Sequence, residues 1–200
     1  DASPLITDFP SIRMGVEMAL KSLASDDSFQ LYETPFSKGA QPISINGLVW
    51  MGTIDFMRQQ VFDKIEAGYD CIKLKIGALD FDVECQLLAE IRECYSPSAV
   101  TLRVDANGAF STEEALQKLE KLSQYGLHSI EQPIAAGQVK AMQKLCAQTP
   151  IPIALDEELI GVLDATEQTA LLDEIHPQYI ILKPSLLGGF SASEDWIKLA

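Results

Sequence analysis

The chain has 200 residues, 47% of them hydrophobic, enough to bury a sizeable core in one or two domains. Its 29 acidic against 15 basic residues give a formal charge of −14, which argues against nucleic acid or an anionic membrane as partner, because a phosphate footprint needs a basic face. No apolar run approaches the roughly 18 residues needed to cross a bilayer, and the start, "DASPLITDFP", lacks a basic-then-apolar leader pattern.

A soluble protein is therefore expected. Cys71, Cys85, Cys94 and Cys146 show no C-x-x-C spacing and are read as reduced core residues, which places the chain in the cytoplasm. His128 and His176 are too isolated for a histidine-rich metal site.

In chain order, "FPSIRMGVEMALKSLAS" predicts a helix over about residues 10–25. Pro10 suits its start, and Ile12, Val16, Ala19, Leu20 and Leu23 form one face. Residues 26–42, with Pro35, Gly39 and Pro42, read as a connector. From residue 43 strands and helices alternate. Strands are expected at 43–50, 71–75, 100–105, 128–131, 151–156 and 179–183. Helical faces lie between them: Val83, Leu87, Leu88, Ile91 and Cys94; Ala115, Leu119 and Leu122; Val139, Met142 and Cys146. Capping boxes are expected at Ser111–Glu114, Asp164–Glu167 and Ser191–Glu194. Such alternation implies a parallel sheet covered by helices, either an open doubly wound sheet or a (β/α)8 barrel. No G-x-G-x-x-G or P-loop follows a strand, which disfavours a nucleotide-binding sheet.

The informative residues end the strands: Lys75, Asp105, Glu131, Asp156 and Lys183, separated by 30, 26, 25 and 27 residues. In a barrel these positions lie side by side at the C-terminal rim, where active sites form. Asp105, Glu131 and Asp156 would repel one another unless a hard divalent cation joined them. Mg2+, or Mn2+ with the same oxygen preference, suits three carboxylates. Strand period 2 points Lys73 and Lys75 the same way, and Lys183 comes from the far side of the carboxylates. Metal plus lysine suits removal of a proton next to a substrate carboxylate.

The motifs "KLK" (73–75), "DANG" (105–108), "EQP" (131–133), "ALDEE" (154–158) and "LKPSLLGG" (182–189) closely resemble the muconate-lactonising subgroup of the enolase superfamily. Lysine bases working with Mg2+ are a known property of that superfamily. Within it, "LRVDANGAF" and "SIEQPI" look most like the o-succinylbenzoate synthase branch, the dehydratases of menaquinone synthesis. The resemblance implies a hydro-lyase with a small carboxylate substrate, a (β/α)8 barrel and an N-terminal α+β capping domain. It implies that Asp105, Glu131 and Asp156 ligate Mg2+, that Lys75 is the general base and then the acid, and that Lys183 stabilises the enediolate. Lys73 would tune Lys75, Asn107 and Glu157 would support the ligands, and Arg103 would help order the site. N-acylamino-acid racemisation or dipeptide epimerisation is the alternative, and a non-catalytic metal-binding fragment a further one.

Six strands fall short of eight. Residues 1–42 are expected to be a remnant of the capping domain with its connector, and 43–200 a partial barrel. Such a piece would be inactive alone and would tend to self-associate through open sheet edges.

Overall fold

The computed structural model describes residues 6–27 and 29–200. Two compact units emerge. One joins residues 45–158 with 173–180, and the other joins residues up to 44 with 159–172 and 181–200.

The first unit holds six strands: β1 (Gly47–Val49), β2 (Cys71–Lys75), β3 (Thr101–Asp105), β4 (Ser129–Glu131), β5 (Ile153–Leu155) and β6 (Tyr179–Ile180). All ladders are parallel and the order is β1-β2-β3-β4-β5-β6. A doubly wound sheet reverses the side on which strands are added. Here every strand is added on the same side, which is the winding of a barrel. Among the described residues, β1 and β6 each have a single ladder neighbour.

Alternation within the strands explains the layering. Ile72, Leu74, Leu102 and Val104 are almost wholly buried on one face. Lys73, Lys75, Arg103 and Asp105 occupy the other. The crossover helices α2 (Ile54–Glu66), α3 (Phe81–Cys94), α4 (Ala115–Ser123) and α5 (Val139–Gln148) bury the apolar stripes read from the sequence, among them Leu87, Leu88, Ile91, Leu119, Leu122 and Met142. Each fully buried Leu or Ile contributes about 1.5–3 kcal/mol. The periodicity carries no signal for α2, whose buried residues are only Met57 and Val61. Cys94 is exposed rather than in the core, and the other three cysteines are also free.

Three strands are markedly shorter than expected. β1 covers three residues of the predicted 43–50, β5 three of 151–156, and β6 pairs only Tyr179 and Ile180. Lys183 therefore does not end a ladder. It precedes Pro184 at φ −117, ψ 87, and caps α7 (Pro184–Leu187). A residue before proline is driven towards extended backbone, and proline opens helices, so Pro184 converts a strand-like run into a helix start.

The second unit contains α1 (Pro10–Ala24), α7 and α8 (Phe190–Leu199). Asp164 begins α6 (Ala165–Ile175) as the capping box predicts, accepting from the N–H groups of Thr166 and Glu167. Ser111 Oγ accepts from Glu114 N–H as well, but in the turn before α4, which starts at Ala115 with no side-chain cap. The Ser191 box does not form. α8 starts one residue before Ser191, and Glu17 of α1 caps it instead. Its carboxylate accepts from Phe190 N–H (2.6 Å), Ser191 N–H (3.1 Å) and Ser191 Oγ (2.5 Å). Gly189 has φ 104, and a Cβ there would collide with Glu17 Oε2, so only glycine admits this cap.

Burial pushes the Glu17 carboxyl up, but the Ser191 hydroxyl and the two amides outweigh it and hold it below its usual 4.5. The contribution is thus present above that value and lost as pH falls through the lowered one. Glu17→Ala should cost about 0.5–2 kcal/mol, the range of a lost N-cap. Urea midpoints at pH 7 check it, and an unchanged midpoint would deny Glu17 that role. The expected apolar face of α1 is not buried: among the described residues Ile12, Val16, Leu20 and Leu23 are all exposed.

Candidate active site

Strand register brings the polar residues together. Lys75 pairs in register with Asp105, and Asp105 with Glu131, so the three lie across adjacent strands at one level. One pleat deeper, Lys73 is level with Arg103 and Arg103 with Ser129. Neighbouring strands stand about 4.8 Å apart, within reach of a lysine on its neighbour's carboxylate.

The contacts follow. Lys75 Nζ donates to Asp105 Oδ2 at 2.6 Å and to Asn107 Oδ1 at 2.8 Å. Lys73 Nζ donates to Glu131 Oε2 at 2.5 Å and lies 3.1 Å from Asp105 Oδ2. Both lysine side chains are about 15% exposed, while those of the two carboxylates are at most 2% exposed. This explains how two cations are tolerated in an apolar strand: each is paired with a buried anion on the next strand or the one beyond.

The carboxyls differ in charge preference. Burial pushes Glu131 up to about 7, and neighbouring Asp105 adds to the rise, against the pull of Lys73. Burial acts on Asp105 as well, but Lys75 first, then a hydrogen bond with Glu131 and the charge of Lys73, overcome it and hold that carboxyl below its usual range. Of two adjacent acids, the one with two amines keeps its charge.

"DANG" forms the turn that completes this corner. Asn107 and Gly108 have φ +44 and +76, and Asn107 N–H donates to Asp105 Oδ1 at 3.0 Å. Asn107 Nδ2 donates to Glu157 Oε1 at 2.8 Å. One residue thus touches Lys75 and Glu157 with its side chain and Asp105 with its backbone N–H. Gly108 brings the turn against its neighbour: a Cβ there would lie 2.8 Å from Ala135 Cα.

Asp156 is buried one residue past the end of β5, itself paired with β4 through Glu131 and Ala154. Arg103 Nε is buried without a hydrogen-bond partner. Lys183 belongs to the other unit. Among the described residues no three His, Cys, Asp or Glu side chains form a ready-made metal cage; two of the three predicted ligands have their Oδ2 and Oε2 atoms engaged by lysines. The donor set nonetheless fits a hard cation: three buried carboxylates at successive strand ends, with Glu131 Oε1 buried and unpartnered.

Two groups carry weight here that the strand-end pattern does not reveal. Glu84 of α3, 3% exposed, accepts from the N–H groups of Gly77, Ala78 and Leu79, clamping the loop that follows Lys75. A carboxylate on the apolar stripe of Leu87, Leu88 and Ile91 is its only signal. Gln132 lies within "EQP", where the charge of Glu131 draws attention away from the amide beside it.

The chain matches the model of the "Enolase C-terminal domain-like" family over residues 57–200. It belongs to that family. Among enolase-family proteins, o-succinylbenzoate synthase of Desulfotalea psychrophila LSv54 is 55% identical over 192 residues, 96% of this chain and 52% of that protein. The crystal structure of MenC from the same strain superimposes with a TM-score of 0.89 at 54% identity, over 96% of this chain and 52% of the other. A dipeptide epimerase of Cytophaga hutchinsonii, solved with Mg and D-Ala-L-Val, gives a TM-score of 0.80 at 25% identity, over 95% of this chain and 51% of that one. The chain spans about half the length of the enolase-family relatives it matches. The resemblance read from its motifs, and the barrel winding, are thus those of this family. Among the described residues no helix is long and apolar enough to cross a membrane.

Proposed function

We propose that this chain carries the acid–base and metal-binding part of an o-succinylbenzoate synthase, a dehydratase that removes a proton next to a carboxylate and then expels a hydroxyl group as water. The observation that carries it is the pairing of Lys75 with Asp105 and Asn107 at the strand ends, in a chain 55% identical to such an enzyme.

In this reading Asp105, Glu131 and Asp156 hold Mg2+ or Mn2+. When bound, the cation supplies positive charge where the substrate carboxylate gains electron density. As the neutral amine Lys75 takes the proton from the carbon, and as the resulting ammonium it returns it to the departing hydroxyl, which leaves as water. Asn107 keeps the Lys75 amine aimed, and its bond to Glu157 fixes the amide in that orientation. Lys73 stays on Glu131 and Asp105, deeper than the reacting atoms. Lys183 takes its role from the "LKPSLLGG" motif, as a second cation opposing the developing charge. Residues 1–42 are read as capping region and connector, and 43–200 as barrel. Four unpaired cysteines suit a reducing, cytoplasmic setting.

The likeness to a dipeptide epimerase favours a second reading, racemisation or epimerisation, in which Lys75 and Lys183 both serve as bases. Product analysis separates the two. A protein of the relatives' length that forms o-succinylbenzoate from its cyclohexadiene precursor supports the dehydratase. One that only racemises N-succinyl amino acids or epimerises dipeptides removes it.

A further inference from the structure

Gln132 follows Glu131 directly, and none of it reaches solvent. It adopts φ +38, an uncommon and costly conformation for a residue with a side chain. Every polar group of the residue is engaged. Its N–H donates to Ala154 O at 2.9 Å, and its carbonyl accepts from Gly108 N–H at 2.7 Å. The side-chain Oε1 accepts from Asp156 N–H at 3.1 Å and from Glu158 N–H at 3.3 Å. Nε2 donates to Ile134 O at 3.0 Å and to Glu158 Oε2 at 3.1 Å. Glu158, 6% exposed, passes the tie on by accepting Gly137 N–H at 3.0 Å.

Only an amide satisfies this setting. Two backbone donors face an oxygen with two lone pairs, while a carbonyl and a carboxylate face an NH2 with two hydrogens. A carboxylate at 132 would oppose Glu158, and an apolar chain would orphan two amides and a buried anion. The strained backbone is held because main chain and side chain are both fully used.

We propose that Gln132 is the positioning residue for the Asp156 carboxylate: by holding the amides of Asp156 and Glu158 it fixes the main chain from which that carboxylate projects. It touches neither substrate nor cation and acts through Asp156. The inference rests on the reading that Asp156 shares a divalent cation with Glu131.

The test uses the 200-residue chain with three variants: Gln132→Met, Gln132→Glu, and the double variant Gln132→Glu with Glu158→Gln. Amide hydrogen exchange at Asp156 and Glu158 and Mg2+ affinity by calorimetry are measured, with the Leu74 amide of β2 as reference. Gln132→Met should speed exchange at the two amides by at least about tenfold and leave Leu74 unchanged. It should raise the Mg2+ Kd about ten- to a hundredfold, the usual effect of losing a group that orients a ligand. Gln132→Glu should behave alike. The double variant puts the amide at position 158, where it donates back to the carboxylate at 132; both backbone amides keep an acceptor, so their protection should return to within about threefold of wild type, while Ile134 O loses its donor and Mg2+ affinity recovers only in part.

Protection retained at both amides in Gln132→Met overturns the proposal, as does Mg2+ affinity within about twofold of a wild type that binds. If the single variants do not fold, a folded double variant with unprotected amides also overturns it. A wild type that binds no Mg2+ removes the cation reading alone; the clamp then stands or falls on amide exchange and its recovery in the double variant.

Discussion

Lys75→Arg should abolish exchange of the substrate α-proton with D2O, with a loss of about 10²–10⁴-fold, the range of a general base. Arginine keeps the positive charge beside Asp105 and can still donate to it, but it does not give up its proton in a protein. The substitution therefore separates the two duties of the amine. Lys75→Ala should lose exchange to at least the same degree, and it also strips Asp105 of its 2.6 Å partner. The arginine variant should keep its urea midpoint closer to wild type than the alanine variant. Proton NMR of substrate incubated in D2O reads the exchange, using a protein of the relatives' length. Exchange at the wild-type rate in the arginine variant would take the base role from Lys75.

Mg2+ binding should fall at least a hundredfold in Asp156→Ala and in Glu131→Gln, since each removes one of three anionic ligands. Calorimetry on the chain as it stands measures this, and unaltered affinity in both variants would dissolve the proposed site. The chelated chain makes a related prediction about pH. Glu131 is raised from its usual 4.5 to about 7 in the folded state. A raised carboxyl binds more protons folded than unfolded between those values, so its contribution to stability is complete below 4.5 and lost as pH rises through about 7. In chelator, urea midpoints should decline over that window. Added Mg2+ should restore them most at the alkaline end, where Glu131 is already a free carboxylate.

Much of this site is legible in the amino-acid sequence alone, and the reason is geometric. A parallel strand shows its period in its apolar residues, so an ionisable residue at its end stands out. Lys75, Asp105, Glu131 and Asp156 are legible on that basis, and strand register brings the first three level. Lys183 is different: "YIIL" is as apolar as a true strand, and local composition does not show whether a neighbour pairs with it. The Ser191 box fails for a related reason. Its spacing is right, but Glu17, far away in sequence, reaches the same amides first. Gln132 and Glu84 stay hidden because their partners are mainly backbone groups, which no sequence pattern distinguishes.

The strand order carries a consequence for how the molecule comes into being. Each strand pairs with the one made just before it, and each unit spans 25–30 residues at its polar end. Each ladder can therefore close once the following strand is made, which favours growth from the N-terminal side during synthesis. Lys75 exists before the acid it neutralises, and Asp105 before Glu131. Asp105 thus emerges against a strand that already carries both of its amines, and Glu131 finds Lys73 in place two strands back, so the nascent sheet need never hold that acidic pair without counter-charge.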